Sequence, residues 1–308
     1  MIVELPNTTT SKISKEITKL REQGGVIALG RVLTLVVLTR NGLEDEAIQA
    51  ANEASREHPC RIIVLADAGA EEPDRLDAEI RVGGDAGASE VIVLRGYGRL
   101  SEESESLVSA LLLPDAPIVA WWPHGAPEDA SGTSIGRIAH RRITDAANEA
   151  DPVAALENLH RTYQAGDTDL AWTRLTNWRI QLAAAFDQVD DSPVTEVEVE
   201  GASDSASTLL LASWLGLAFD VPVKITEDPA GTGIRRVLIR RPSGDVQLHR
   251  PGLTVAELSQ PDQPLQRISL PRRGLQDCLA EELRRLDPDE VFGEVLTEGL
   301  PRIAQRSA

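Results

Sequence analysis

The stretch that most constrains the fold is residues 32–66. Residues 32–38 are an unbroken apolar run rich in β-branched side chains, the pattern of a strand buried on both faces. Asn41 and Glu44 follow at capping-box spacing with Asn41 as the cap. Leu43, Ala47, Ala50, Ala51 and Ala54 then recur at helical intervals and predict a buried stripe. His58-Pro59 stops that helix, because a residue before proline is driven out of the α region. Residues 61–66 read as a second buried strand. A strand, a crossover helix and a strand in so short a span predict a parallel pair with the helix packed on one face.

The same alternation extends to both sides. Ile13, Ile17 and Leu20 mark a short amphipathic helix ended by Gly24-Gly25. Residues 91–94 and 118–122 read as strands, 102–113 as a helix and 77–82 as a further short strand. Residues 123–136 form a loop rich in Gly, Pro, Ala and Ser. A helix past Asp151-Pro152 runs to about Tyr163. Gly166 to Asp169 is turn-rich and suited to cap a helix over 170–187, whose stripe is Ala171, Leu175, Trp178, Leu182, Ala185 and Phe186.

The second half changes character. Thr195, Val197 and Val199 alternate with Glu196, Glu198 and Glu200, a half-buried strand. A buried helix spans 207–219, and strands span 221–226 and 235–241. Pro242-Ser243-Gly244-Asp245 turns the chain into a hairpin partner at 246–250. A strand over 265–270 precedes a helix over 274–286. Asp287 as cap and Pro288 at the first position open a last helix. The expected fold class is α/β with two domains. Residues 1–164 form a mostly parallel α/β layer, and residues 165–308 an α+β domain with antiparallel strands.

Charge and cysteine usage exclude several function classes. With 49 acidic and 31 basic residues the net charge is −18, which repels phosphate backbones and argues against nucleic acid as a partner. Cys60 and Cys278 stand alone, with no CxxC and no Cys/His cluster, so no metal site and no cofactor is expected. The longest apolar run, 209–219, is far too short to span a membrane. The opening residues lack a basic segment followed by an apolar one, so a reducing, cytoplasmic location is expected.

Three patterns point toward catalysis or nucleotides, and each lacks its context. Gly132-Thr133-Ser134-Ile135-Gly136 matches a hydrolase nucleophile elbow but follows a polar loop rather than a strand. Gly96-Tyr97-Gly98 sits between a strand and a helix, as a dinucleotide fingerprint does, yet Ser101 replaces the third glycine. Glu102, Glu103 and Glu105 there would repel a pyrophosphate. The loop Arg81-Val82-Gly83-Gly84-Asp85-Ala86-Gly87 could line a ligand or partner surface, or be a plain loop. The five histidines do not fall at ligand spacing.

Aromatic residues make up only 3% of the chain, yet five are Trp, so each is informative. Trp121-Trp122-Pro123-His124 ends a strand. Both indoles are buried if that strand is central, and one is an exposed partner anchor if it is not. On the helix after Asp169, Trp172 and Arg179 share a face, and Arg174 is spaced to stack on Trp178. Arg235, Arg236, Arg240, Arg241 and Arg250, with His249, form a basic island against the one acid Asp245. This is a solvated hairpin face, an acidic-partner surface or a sugar-phosphate site.

These segments together resemble a known family. The string Leu111-Leu112-Leu113-Pro114-Asp115-Ala116-Pro117-Ile118-Val119-Ala120-Trp121-Trp122-Pro123 is the tightest part, joined by residues 1–10, 30–36, 55–64, 80–87 and 166–174. The sequence is similar to the actinobacterial branch of the glucose-6-phosphate dehydrogenase assembly protein family, called OpcA. The resemblance implies a non-catalytic partner that binds glucose-6-phosphate dehydrogenase and favours its active oligomer. In and beside the matched segments, Arg81, Gly83, Gly84, Asp85, Trp121, Trp122, His124, Asp167, Asp169, Trp172, Arg174 and Arg179 are the expected partner contacts. The alternative is an enzyme or sensor binding a sugar phosphate or nucleotide, with Arg235, Arg236, Arg240, Arg241 and Arg250 as its anion site.

Overall fold

β-Branched runs that cannot face water on either side assemble the first sheet. The protein is described by a computed structural model over residues 1–24, 32–82, 90–228, 231 and 233–307. In chain order the elements are β1 (Ile2–Leu5), α1 (Thr10–Gly24), β2 (Leu33–Arg40), α2 (Glu44–Ala54), β3 (Cys60–Asp67), β4 (Arg75–Arg81) and β5 (Glu90–Tyr97). Then come α3 (Glu105–Val108), β6 (Ile118–Trp121), β7 (Arg141–Thr144), α4 (Pro152–Thr162), β8 (Asp167–Asp169), α5 (Leu170–Thr173) and α6 (Thr176–Phe186). The rest are β9 (Glu196–Gly201), α7 (Ala206–Phe219), β10 (Val223–Glu227), β11 (Arg236–Arg240), β12 (Val246–His249), β13 (Val255–Ser259), β14 (Gln266–Ser269), α8 (Leu275–Arg284), α9 (Glu290–Glu294) and α10 (Leu300–Ser307). A π-helical turn, Val295–Gly299, joins α9 to α10.

Eight strands form one sheet in the order β1-β4-β5-β3-β2-β6-β7-β8. The central pairs β2–β3, β3–β5, β2–β6 and β6–β7 are parallel, while toward one edge β4 runs antiparallel to both of its neighbours, β5 and β1. The strand order reverses at β2, with β3 on one side and β6 on the other, which is a doubly wound sheet with its switch point there. Six strands form the second sheet, β10-β9-β11-β12-β13-β14, antiparallel except for β10 on β9. The α/β class with two sheets is therefore the observed fold.

The chain forms two compact units. The first is Met1–Asp145, Gly166–Thr168 and Leu275–Pro288, and the second is Ala146–Ala165, Asp169–Gly274 and Asp289–Ala308. The chain thus leaves the first unit at Asp145 and returns to it twice. The return of α8 is fixed by charge within the first unit. Arg141, almost fully buried on β7, pairs with Glu282 of α8 and donates to the Asp287 carbonyl at 2.6 Å. Arg61 and Arg21 similarly converge on buried Glu90, each at 2.8 Å.

Several elements differ from the sequence expectation. Helix α2 starts at Glu44 without an Asn41 cap, and Leu43 is 52% exposed rather than part of the stripe. The helix expected over 102–113 shrinks to α3. Beyond it the N–H groups of Leu111 and Leu112 both bond the Val108 carbonyl, which seats Leu107, Val108 and Leu111 in the core by turns. The helix expected over 170–187 breaks into α5 and α6 at a tight turn where Leu175 N donates to Trp172 O, and both Trp172 and Trp178 become buried. Asp289, not Asp287, caps the last helix, accepting from Phe292 N at 3.0 Å. Strands β1, β7, β8 and β13 have no counterpart in the sequence reading.

Candidate functional site

In a doubly wound sheet, ligands bind where the strand order reverses, beyond the carboxyl ends of the strands. Here that place is a cavity of about 160 Å³ lined by Thr39 and Arg40 at the end of β2, Asp67 at the end of β3, and Trp122, His124 and Gly125 after β6. Thr39 Oγ1 and His124 Nε2 are 2.9 Å apart and tie its two walls together. A phosphate in such a fold sits on the N-terminus of the helix after the first strand, drawn by free N–H groups and the helix dipole. In this protein that helix is α2, and its first turn is Glu44, Asp45 and Glu46. Glu44 is buried, accepts a hydrogen bond from Gly42 N and pairs with Arg95, 3.1 Å away. The carboxylate of Glu44 thus sets a negative charge at the head of α2, where a phosphate would otherwise be drawn.

Arg95 also reaches Glu79 at 3.3 Å, and Arg81 reaches Glu79 at 2.6 Å. Burial alone would push the Glu79 carboxyl up, but the hydrogen bonds and charges of Arg81 and Arg95 together hold it below the ordinary glutamate value. Arg81 is therefore engaged with carboxylates in the first unit, while Gly83, Gly84 and Asp85 lie outside the described residues.

The glycine patterns find structural explanations. A Cβ on Gly96 would lie 1.8 Å from the Leu100 carbonyl, so Gly96 is required by the 3₁₀ turn packed back onto it. Ser134 Oγ accepts from Glu105 N at 2.9 Å and helps start α3, and no strand precedes it. Both cysteines are buried.

Strand β6 is central, and so Trp121 and Trp122 are both buried, at 0% and 4% exposure. Trp121 Nε1 has no hydrogen-bond partner among the described residues. Asp167 is buried against Arg142. In the second unit Asp169 caps α5, accepting from Ala171 N at 2.8 Å and from Ala146 N at 2.9 Å. Trp172 is buried, donates to Asp289 at 2.9 Å and carries the Arg179 guanidinium on its ring at 3.7 Å. Trp178 is faced by Arg250 at 5.2 Å.

The basic island divides. Arg236 pairs with Glu198 and Glu200 at 2.7 Å, and Arg235, Arg240 and Arg241 lie against Glu200 and Asp228, Glu196 and Glu198, and Asp190 respectively. These are the cross-strand ladders that the alternating glutamates of β9 demand from β11. Arg250 differs. It is 7% exposed and donates to the carbonyls of Ile234 at 3.0 Å and Leu270 at 3.3 Å, with no carboxylate partner among the described residues.

Arg250 lines a pocket of about 540 Å³ in the second unit, together with Arg174, Arg272, Arg273, Trp178, Asn177, Ser205 and Ser207. None of the described residues lining it is Asp or Glu. Sequence reasoning singled out Arg174 and Arg250 but missed Arg272 and Arg273, which lie beyond β14 at a distance in sequence from the island. Their adjacency in a Pro-Arg-Arg-Gly turn was the available signal.

Fold and site together define a two-unit protein with a doubly wound first unit, a carboxylate-filled switch point and an arginine-lined pocket in the second. Residues 51–161 match the family described as "Glucose-6-phosphate dehydrogenase subunit N-terminal domain" and residues 165–296 its "C-terminal domain". The chain belongs to this family, the OpcA type of glucose-6-phosphate dehydrogenase assembly proteins. It is 24% identical over 229 residues to an OxPP cycle protein OpcA of Synechocystis sp., covering 68% of this chain and 48% of the relative. The chain thus spans about half the length of that relative. Among solved structures, an oxidoreductase from Sinorhizobium meliloti superposes with a TM-score of 0.51 at 10% identity, over 90% of this chain and 98% of that one. The 3-ketoreductase KijD10 from Actinomadura kijaniata with NADP gives 0.48 at 9% identity, over 89% and 97%. The Sinorhizobium likeness speaks of the fold alone.

Proposed function

We propose that this protein is a non-catalytic assembly factor and allosteric activator of glucose-6-phosphate dehydrogenase, serving NADPH production in the oxidative pentose phosphate pathway in the cytoplasm. The observation that carries the reading is the family match across residues 51–161 and 165–296. The carboxylates at the head of α2 support the non-catalytic part, because they stand where an oxidoreductase of this fold would seat the pyrophosphate of its dinucleotide. No helix among the described residues is long and apolar enough to cross a membrane.

Activation by a partner means tighter binding to one state of the enzyme than to another. A difference of about 1–3 kcal/mol shifts that equilibrium roughly five- to 150-fold. We place the contact on the outer face of α6, beside the Trp172–Arg179 stack. Ile180 is 55% exposed there, and Ala183 and Ala184 continue the same exposed face. Trp121, Trp122, Asp167, Asp169 and Trp172 are buried themselves and so are not contact residues of this surface.

The test is size-exclusion chromatography with light scattering of this chain mixed with its dehydrogenase, beside an NADPH-formation assay. The expected results are co-elution, a raised rate in the mixture and no turnover by this chain alone. Ile180→Glu should abolish co-elution while leaving the fold intact by circular dichroism. No co-elution and no change in rate with the wild-type chain would rule the reading out.

A further inference from the structure

The pocket of the second unit is used by none of the functions above. Its most telling member is Arg250. A buried guanidinium without a carboxylate partner is costly unless something offsets its charge. The cost is raised by company, since Arg174, Arg272 and Arg273 line the same space and no described lining residue is acidic. Arg273 is held by a hydrogen bond to the Thr173 carbonyl at 2.7 Å, so the cluster is anchored rather than splayed. Burial, with the nearby charge of Arg272 adding to it, pulls the Arg250 pKa down, the direction expected of a cation lacking an anion.

The pocket also carries neutral recognition groups. Ser205 caps α7 and with Ser207 brings the positive end of a 14-residue helix to its wall. The Trp178 indole supplies an apolar surface, and Asn177 a side-chain amide. A volume of about 540 Å³ falls within the roughly 300–1,000 Å³ range of small-molecule sites. Arginine forks match phosphate oxygens, and a flat aromatic face suits a sugar or base ring.

We propose that this pocket is a binding site for a small phosphorylated metabolite, with its phosphate held by Arg250 and Arg272 and its ring against Trp178. The pocket shares α6 with the partner contact through Asn177 and Trp178, but binding is read on the chain alone. Failure of complex formation therefore leaves the test intact.

The full chain is titrated calorimetrically with glucose 6-phosphate, AMP and inorganic phosphate, and with glucose and adenosine as uncharged counterparts. At least one organic phosphate should bind tenfold or more tightly than both its unphosphorylated parent and inorganic phosphate. Arg250→Met and Arg272→Gln should each weaken that binding at least tenfold. Arg240→Gln, in the paired ladder, should leave it unchanged. Arg272 is exposed, so its variant keeps the test decisive even where Arg250→Met does not fold. The proposal is overturned if no organic phosphate binds, if phosphate-free parents or inorganic phosphate bind as well, or if binding survives Arg272→Gln.

Discussion

At the head of α2 and in the pocket beside α7, the protein gathers charged side chains near a helix N-terminus, and the two places differ in the sign of that charge. The first is closed by Glu44, Asp45 and Glu46, with Glu44 already paired to Arg95. The second is lined by four arginines, one of them buried with no carboxylate partner among the described residues. A helix terminus attracts anions, and a side-chain carboxylate satisfies it as well as a ligand does. The comparison teaches that fold alone does not set ligand chemistry. The switch point inherited from the doubly wound architecture is self-satisfied, and the unsatisfied charge has moved to the second unit.

Breaking a paired buried charge should cost the most. Arg141→Met takes from buried Glu282 the guanidinium it pairs with, and about 3–5 kcal/mol of stability should be lost in urea unfolding. Arg250→Met removes a comparably buried cation that leaves no carboxylate behind. It should cost only about 1 kcal/mol or less by the same measurement, because desolvation relief offsets the hydrogen bonds lost. Equal losses in the two variants would break the comparison.

The pH dependence sharpens it further. The folded Glu79 carboxyl lies below its unfolded value, so its stabilisation is complete above about pH 4–5 and fades as pH falls through the folded value. Glu79→Gln should flatten the acid limb of a stability-versus-pH curve and leave the neutral limb parallel to wild type. The smallest effect is expected from Ser134→Ala. Loss of its bond to Glu105 N should lower stability by about 0.5–1 kcal/mol, with complex formation unchanged. Abolished activity of the complex in that variant would revive a nucleophile role for Ser134.

The legible parts of this molecule are those with a single local solution. β2, α2 and β3 emerged from runs and stripes because their burial is dictated by composition along a few residues. The charge ladder of β9 and β11 was foreshadowed by alternating glutamates and a cluster of arginines. What was not legible depends on who comes near. Strand β7, carrying Arg141 and Arg142, reads as polar surface, yet all four of its residues are buried, because Glu282 and Asp167 arrive from far along the chain. The fate of Trp121 and Trp122 turned on whether β6 has neighbours on both sides, which only the strand order decides. Arg250 looked like the fifth member of an island, and only the positions of Glu196, Glu198, Glu200 and Asp190 left it as the one without a carboxylate.

By itself the sequence determined the two-part α/β organisation, the glycine and serine motifs that fail their catalytic contexts, and the family. These rest on periodicity and on long ordered strings, which survive without coordinates. Tertiary structure alone decided which charges are neutralised. Coulomb energy depends on distance and local dielectric, and separation along a chain fixes neither. The helix–strand unit that constrains the fold thus opens α2 with Glu44 already paired to Arg95, while the arginine-lined pocket is assembled from residues about a hundred positions apart.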